Sequence, residues 1–457
     1  MPSTAPTRMY RLFALTLALM LTIACGEDDP EATDMSTSNN TSTSNSTSNS
    51  TSNNTNTSNG TSPSGLTCEE ACMQLAACAP IADECPAEVA GSIESDCATA
   101  CATDPSAVLG AVETLGECAD YAPILADRVG AGEMCMFGSC MPADSDYSPG
   151  VEDQWPECIS DSGMYSQIEM VISTIGRVAG FEEIELLLWD NPSTPTPTDF
   201  VDALEIYAVD EGLDSRVQRR EDEHYPPVTD GDGNVLRCRD EGVPAMDPQR
   251  CVGPALILPI ITDAFEKGAM GEDPEVNAAR IEAALLWFLY ASTYKEAVTC
   301  TGTKKDCDSA YAYYTGGVPR EQGLGLAGEV RESSLWAHDR IWDGILAVRC
   351  WRDLDSGDEA MDLELRDRAL AQMDEGLLYG VSRLVEDRLL KMSVHEGTQR
   401  SADWAWLRIM GPVLDRELME RNAQAAASLQ TFFASDSVTN DMIADAVKTL
   451  RGAFDCP

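Results

Sequence analysis

Histidine is almost missing from this chain: three in 457 residues, at positions 224, 338 and 395. A three-histidine zinc centre would need all of them to converge. No C-x-x-C occurs, which removes the signatures of zinc ribbons, thioredoxin-like sites and c-type haem attachment. G-x-S-x-G, the Walker A loop and H-E-x-x-H are absent too. His395-Glu396 continues as Gly397-Thr398-Gln399, without the second histidine a zinc protease needs. No nucleophile and base stand at a recognisable spacing, so the expectation is a protein that is not an enzyme. Positive charge is also scarce, with 31 Lys and Arg against 77 Asp and Glu and a net charge of −46. Such a surface repels phosphate, which excludes nucleic acid as a partner and favours cations and basic proteins.

What is abundant comes first at the N-terminus. Arg8 and Arg11 precede an apolar run over 12–24, the length of a signal-peptide core and too short to span a bilayer. It ends in Leu21-Thr22-Ile23-Ala24-Cys25-Gly26, which resembles a bacterial lipobox with Cys25 as the lipidated residue. Residues 1–24 are therefore expected to be a signal peptide. Residues 25–65 are expected to be a lipidated cysteine followed by a disordered Ser/Thr/Asn tether, because such composition cannot bury enough apolar area to offset its ordering entropy. Gly26, where an inner-membrane retention signal would place Asp, points to the outer membrane or cell surface.

Of the 17 cysteines, Cys25 leaves 16, an even set that reads as a disulfide framework in an exported chain. Residues 66–142 hold nine of them. Cys68/Cys72 and Cys97/Cys101 are C-x-x-x-C pairs whose spacing puts both thiols on one helical face, as two disulfides stapling a helical hairpin would require. Nine is odd, and Cys158 is the nearest outside partner. Among the remaining six the expected pairs are Cys238 with Cys251, Cys300 with Cys307, and Cys350 with Cys456.

Residues 143–457 read as an all-α, bundle-like domain with one small β-hairpin excursion near 228–238. Its centre is the stretch from Asp273 to Gly317. Asp273 and Pro274 mark a helix start, and Leu285 to Tyr290 are apolar on every face, so this helix should be covered on all sides. Further helices are expected over 165–189, after a Thr198 cap, over 255–265, 324–352, 359–391, 401–434 and 440–454.

Oxygen-rich clusters are the candidates for chemistry. Glu329, Glu332, Asp339 and Asp343 would share one side of a single helix over 324–352, and carboxylates from facing helices can hold a hard cation such as iron or calcium. Asp230, Asp232, Asn234 and Glu241 have EF-hand-like spacing, but Val235 stands where that loop needs glycine. The segment DSAYAYYTGG over 308–317, with the aromatic helix before it, resembles the low-iron-inducible periplasmic (iron-assimilating) protein family. That resemblance implies a helical, extracellular protein associated with iron acquisition. It would assign iron to the E-x-x-E unit of Glu329 and Glu332, with Asp308 and Tyr311 inside the matched segment. The expectation is thus a lipid-anchored envelope protein binding a hard metal ion at the cell surface. The alternative is a structural lipoprotein that binds another envelope protein and has no small-molecule site.

Overall fold

A computed structural model describes residues 65–78, 87–130, 143–150 and 153–454. Within them the chain is helical, with no strand beyond an isolated antiparallel bridge between Thr229 and Val235. The expected hairpin excursion is thus reduced to that bridge. No helix among the described residues is long and apolar enough to cross a membrane. Cys25 and the tether lie outside these residues.

The first four helices are α1 (Cys68–Ala76), α2 (Ala87–Thr103), α3 (Pro105–Leu115) and α4 (Cys118–Arg128). Thr67 and Glu70 form a capping box at the start of α1. Cys68–Cys101 and Cys72–Cys97 staple α1 to α2 as the C-x-x-x-C spacing anticipates, and Cys78–Cys118 ties in α4. Then come α5 (Ile172–Leu188), α6 (Pro197–Tyr207), α7 (Leu213–Val217), α8 (Val243–Met246), α9 (Leu258–Ala269) and α10 (Pro274–Thr299). Thr196, not Thr198, caps α6: its hydroxyl accepts from the Asp199 amide, leaving Pro197 at the first helical position, where a missing N–H does no harm. Asp273 does precede α10, but with φ of 38° and no side-chain cap.

The order continues with α11 (Lys305–Thr315), α12 (Leu326–Ser333), α13 (Leu335–Leu354), α14 (Leu363–Val394), α15 (Gly397–Met410), α16 (Asp415–Arg421), α17 (Ala423–Phe433) and α18 (Asn440–Ala453). Two expected helices are broken. The one over 324–352 divides at Ser334, whose hydroxyl caps α13 through the Ala337 amide and donates to buried Asp127. The one over 401–434 divides at a 3₁₀ turn containing Pro412 and again at Asn422, which caps α17.

Helix α10 is the structural centre. Residues 281–293 are buried throughout, and α9, α11, α14 and α15 pack around it. Helices α13 and α14 form the other major contact, and glycine lets them approach. A Cβ on Gly344 would sit 2.5 Å from the Met373 Cα. Helix α3 lies on α14 just as closely, since a Cβ on Gly110 would fall 2.2 Å from the Leu390 carbonyl oxygen. One hydrophobic core therefore runs from the disulfide-stapled helices into the long helices.

Cys238–Cys251 and Cys300–Cys307 form as expected. Cys350 corrects the third expectation. It bonds to Cys158, because the segment after Cys158 lies against α13, and Cys158 is thereby unavailable to the cysteines of 66–142. Cys456 is outside the described residues. A closed loop of 192 residues removes about 5 kcal/mol of chain entropy from the unfolded state in the simple loop model.

Candidate functional site

The acidic residues singled out from the sequence divide between the broken helices and find basic or amide partners. Asp339 and Asp343, on α13, both accept from Arg320, at 2.7 and 2.9 Å. Glu329 and Glu332, on α12, act electrostatically on Arg388 and Arg128 respectively. Glu182, which forms a second E-x-x-E unit with Glu185, is buried and accepts from the Gly325 amide. Asp230 closes its own turn, accepting from the amides of Asp232 and Asn234 and from the Asn234 side chain. Among the described residues no three of His, Cys, Asp or Glu are gathered as a metal cage.

The histidines occupy three separate polar networks. His224 donates from both ring nitrogens, to Asp222 at 2.6 Å and Asp374 at 2.9 Å, and stacks on Tyr294 at 3.8 Å. Burial disfavours its charge, but the two carboxylates outweigh that and push its pKa up to about 9. His338 is the opposite case. Burial lowers its pKa to about 4, so the neutral ring accepts from the Tyr314 hydroxyl and donates to the Arg320 carbonyl. His395 lies between Ser106 and Asp403.

Asp308 and Tyr311 lead to a surface that sequence patterns did not reveal. The backbone over 165–171 reads as the start of a helix, yet α5 begins only at Ile172. Its amides are engaged elsewhere: Ile168 and Glu169 donate to the buried Asp308 carboxylate at 2.8 and 2.7 Å. The Tyr165 hydroxyl donates to the same group at 3.0 Å, while its ring stacks on Tyr311 at 4.0 Å. From α13, Arg349 donates to the Ser166 carbonyl at 2.7 Å and Trp342 to the Gly163 carbonyl. The Cys158–Cys350 disulfide and a bond from the Ile159 amide to Asp353 fix the start of the segment. With these groups taken, the Ile168 and Glu169 amides cannot join i→i+4 helical bonds, and the helix starts only beyond them.

The side chains of this clamped segment point the other way. Met164, Met170 and Ile172 are 60–72% exposed, and Ile159 and Ile168 are also exposed. Five large apolar side chains within fourteen residues, on backbone immobilised by α11 and α13, form a preorganised apolar surface. Asp161 and Glu169 add negative charge to it. The signal available in the sequence was the density of Met and Ile between Cys158 and the next helix. What concealed it was that the same residues fit a helix. No family model, no curated protein and no solved structure matches this chain.

Proposed function

We propose that the protein is a lipid-anchored envelope protein whose clamped segment, 159–172, docks another protein. The observation that carries this reading is the pairing of exposed Met164, Ile168, Met170 and Ile172 with backbone tied down by Asp308, Arg349 and Trp342. An apolar loop that is already ordered loses little entropy on binding. The favoured occupant is a protein with an apolar groove rimmed by Lys and Arg, because the chain carries −46 and Asp161 and Glu169 flank the loop. An anionic lipid surface is disfavoured by the same charge. The partner reading is preferred to a bound hard cation because Asp308, Asp339 and Asp343 already accept internal hydrogen bonds. The six disulfides of the described residues fit an oxidising compartment, as the lipobox resemblance at Cys25 implies.

The test is site-specific photocrosslinking of the full chain in its own cells. A benzophenone side chain at Met170 should give one discrete protein adduct, weakened by Ile168→Ser and by high salt. The same probe at exposed Met419 should not give it. Equal adduct patterns at both positions, or adducts to lipid alone, would refute the docking role.

A further inference from the structure

The polar junction between α3 and the end of α14 contains a second and different chemistry. His395 lies directly after α14 and Asp403 lies on α15. Asp403 accepts from His395 Nδ1 at 2.7 Å. A carboxylate at Nδ1 holds the proton on that nitrogen, which leaves Nε2 with a free lone pair. Ser106 Oγ stands 2.8 Å from Nε2. The other Asp403 oxygen accepts from Arg388 at 3.4 Å, and Arg388 also pairs with Glu282. Serine, imidazole and carboxylate are therefore connected in the order and at the distances that let a serine act as a nucleophile.

Independent contacts position the two halves. Asp104 caps α3 two residues before Ser106 and pairs with Lys391 at 2.8 Å and Arg128 at 3.0 Å. Burial opposes the Asp104 charge, yet those cations hold its pKa well below the usual carboxylate range. Lys391 is four residues before His395, so this ion pair fixes Ser106 against the imidazole. His395 and Asp403 also reach the wall of a cavity of about 290 Å³, which Arg388, Glu275 and Glu282 share and which Ser106 does not line.

We propose that Ser106, His395 and Asp403 form an acyl-transfer site that hydrolyses carboxylic esters. Ser106 Oγ attacks the ester carbonyl carbon as its proton passes to His395 Nε2. The tetrahedral adduct collapses, the carbon–oxygen bond to the alcohol breaks, and His395 returns the proton to the departing alkoxide. Water then adds to the Ser106 ester, giving one proton to His395. Ser106 leaves with that proton, and the acid is released. Ester and water become acid and alcohol, with no other reactant. The Asp104 pairs are positioning interactions and take no part in proton transfer; the Thr114–Ser393 hydroxyl contact belongs to the α3–α14 packing and touches none of the three residues.

The test treats the full chain with a fluorophosphonate probe and maps the label by peptide mass spectrometry, alongside p-nitrophenyl butyrate hydrolysis. The wild type should carry the label on Ser106. Ser106→Ala and His395→Gln should each lose label and at least ~100-fold in hydrolysis rate, the scale of a lost nucleophile or base. Thr114→Val, which cuts the neighbouring hydroxyl contact but spares the triad, should stay within about twofold. A folded wild type with no label on Ser106 overturns the proposal without recourse to any variant, as does undiminished hydrolysis in Ser106→Ala. Either result leaves the docking role of 159–172 untouched.

Discussion

Raising the pH from 6 to 9 should remove a specific part of this protein's stability, and His224 is the group responsible. Both its nitrogens donate to carboxylates, those of Asp222 and Asp374, and its side chain is only 4% exposed. Its folded pKa of about 9 exceeds the ordinary histidine value near 6.5. A raised folded value means that the contribution is fully present below about pH 6.5 and disappears as pH rises through about 9. The rise from about 6.5 to about 9 corresponds to roughly 3 kcal/mol at pH 6 and under ~0.5 kcal/mol at pH 9. Two neighbouring tyrosines and an arginine keep their charge state across this window. Burial raises Tyr290 and Tyr294 well above their usual range, and Arg416, 3.7 Å from Asp374, stays cationic. The assay is denaturant unfolding of wild type and His224→Gln, disulfides intact, at half-unit steps from pH 6 to 9.5. The gap between the two proteins should shrink by roughly 3 kcal/mol over that range. A gap that stays constant with pH would show that His224 is not held as a cation, and the argument for its charged state would fail.

Two further outcomes test the framework around the docking segment. Asp308→Ala removes the acceptor shared by the Ile168 and Glu169 amides and the one used by the Tyr165 hydroxyl. It should lower unfolding stability by about 2–4 kcal/mol and speed amide exchange at those two positions; unchanged exchange would argue against the clamp. Non-reducing peptide mapping should recover Cys158 linked to Cys350, and a Cys350–Cys456 peptide in its place would refute the arrangement at α13.

How much of this could be read from the residues depends on range. The all-apolar run from Leu285 to Tyr290 announced a helix covered on every side because composition alone sets that outcome. The C-x-x-x-C spacing gave the α1–α2 staple for a similar local reason. Ser334 escaped notice, since serine mid-helix and serine at a cap differ only in what surrounds them. Here Asp127, 207 residues away, supplies the difference. The clamped segment over 159–172 failed to announce itself because its non-helical backbone is imposed by Asp308 and Arg349 from other helices. The triad was the least legible. Ser106 and His395 are 289 residues apart, so no spacing rule connects them.

The Cys158–Cys350 bridge also bears on how the protein ages once proteases reach it. It encloses 159–349, which include exposed turns such as that around Gly231 and Gly233. A protease cutting there would sever the peptide chain and release no fragment, because the two pieces remain one covalent molecule. Damage of that kind would be invisible to any measure of size made without a reductant. The docking segment, which begins at the bridge itself, would keep its attachment to α13 through such a cut.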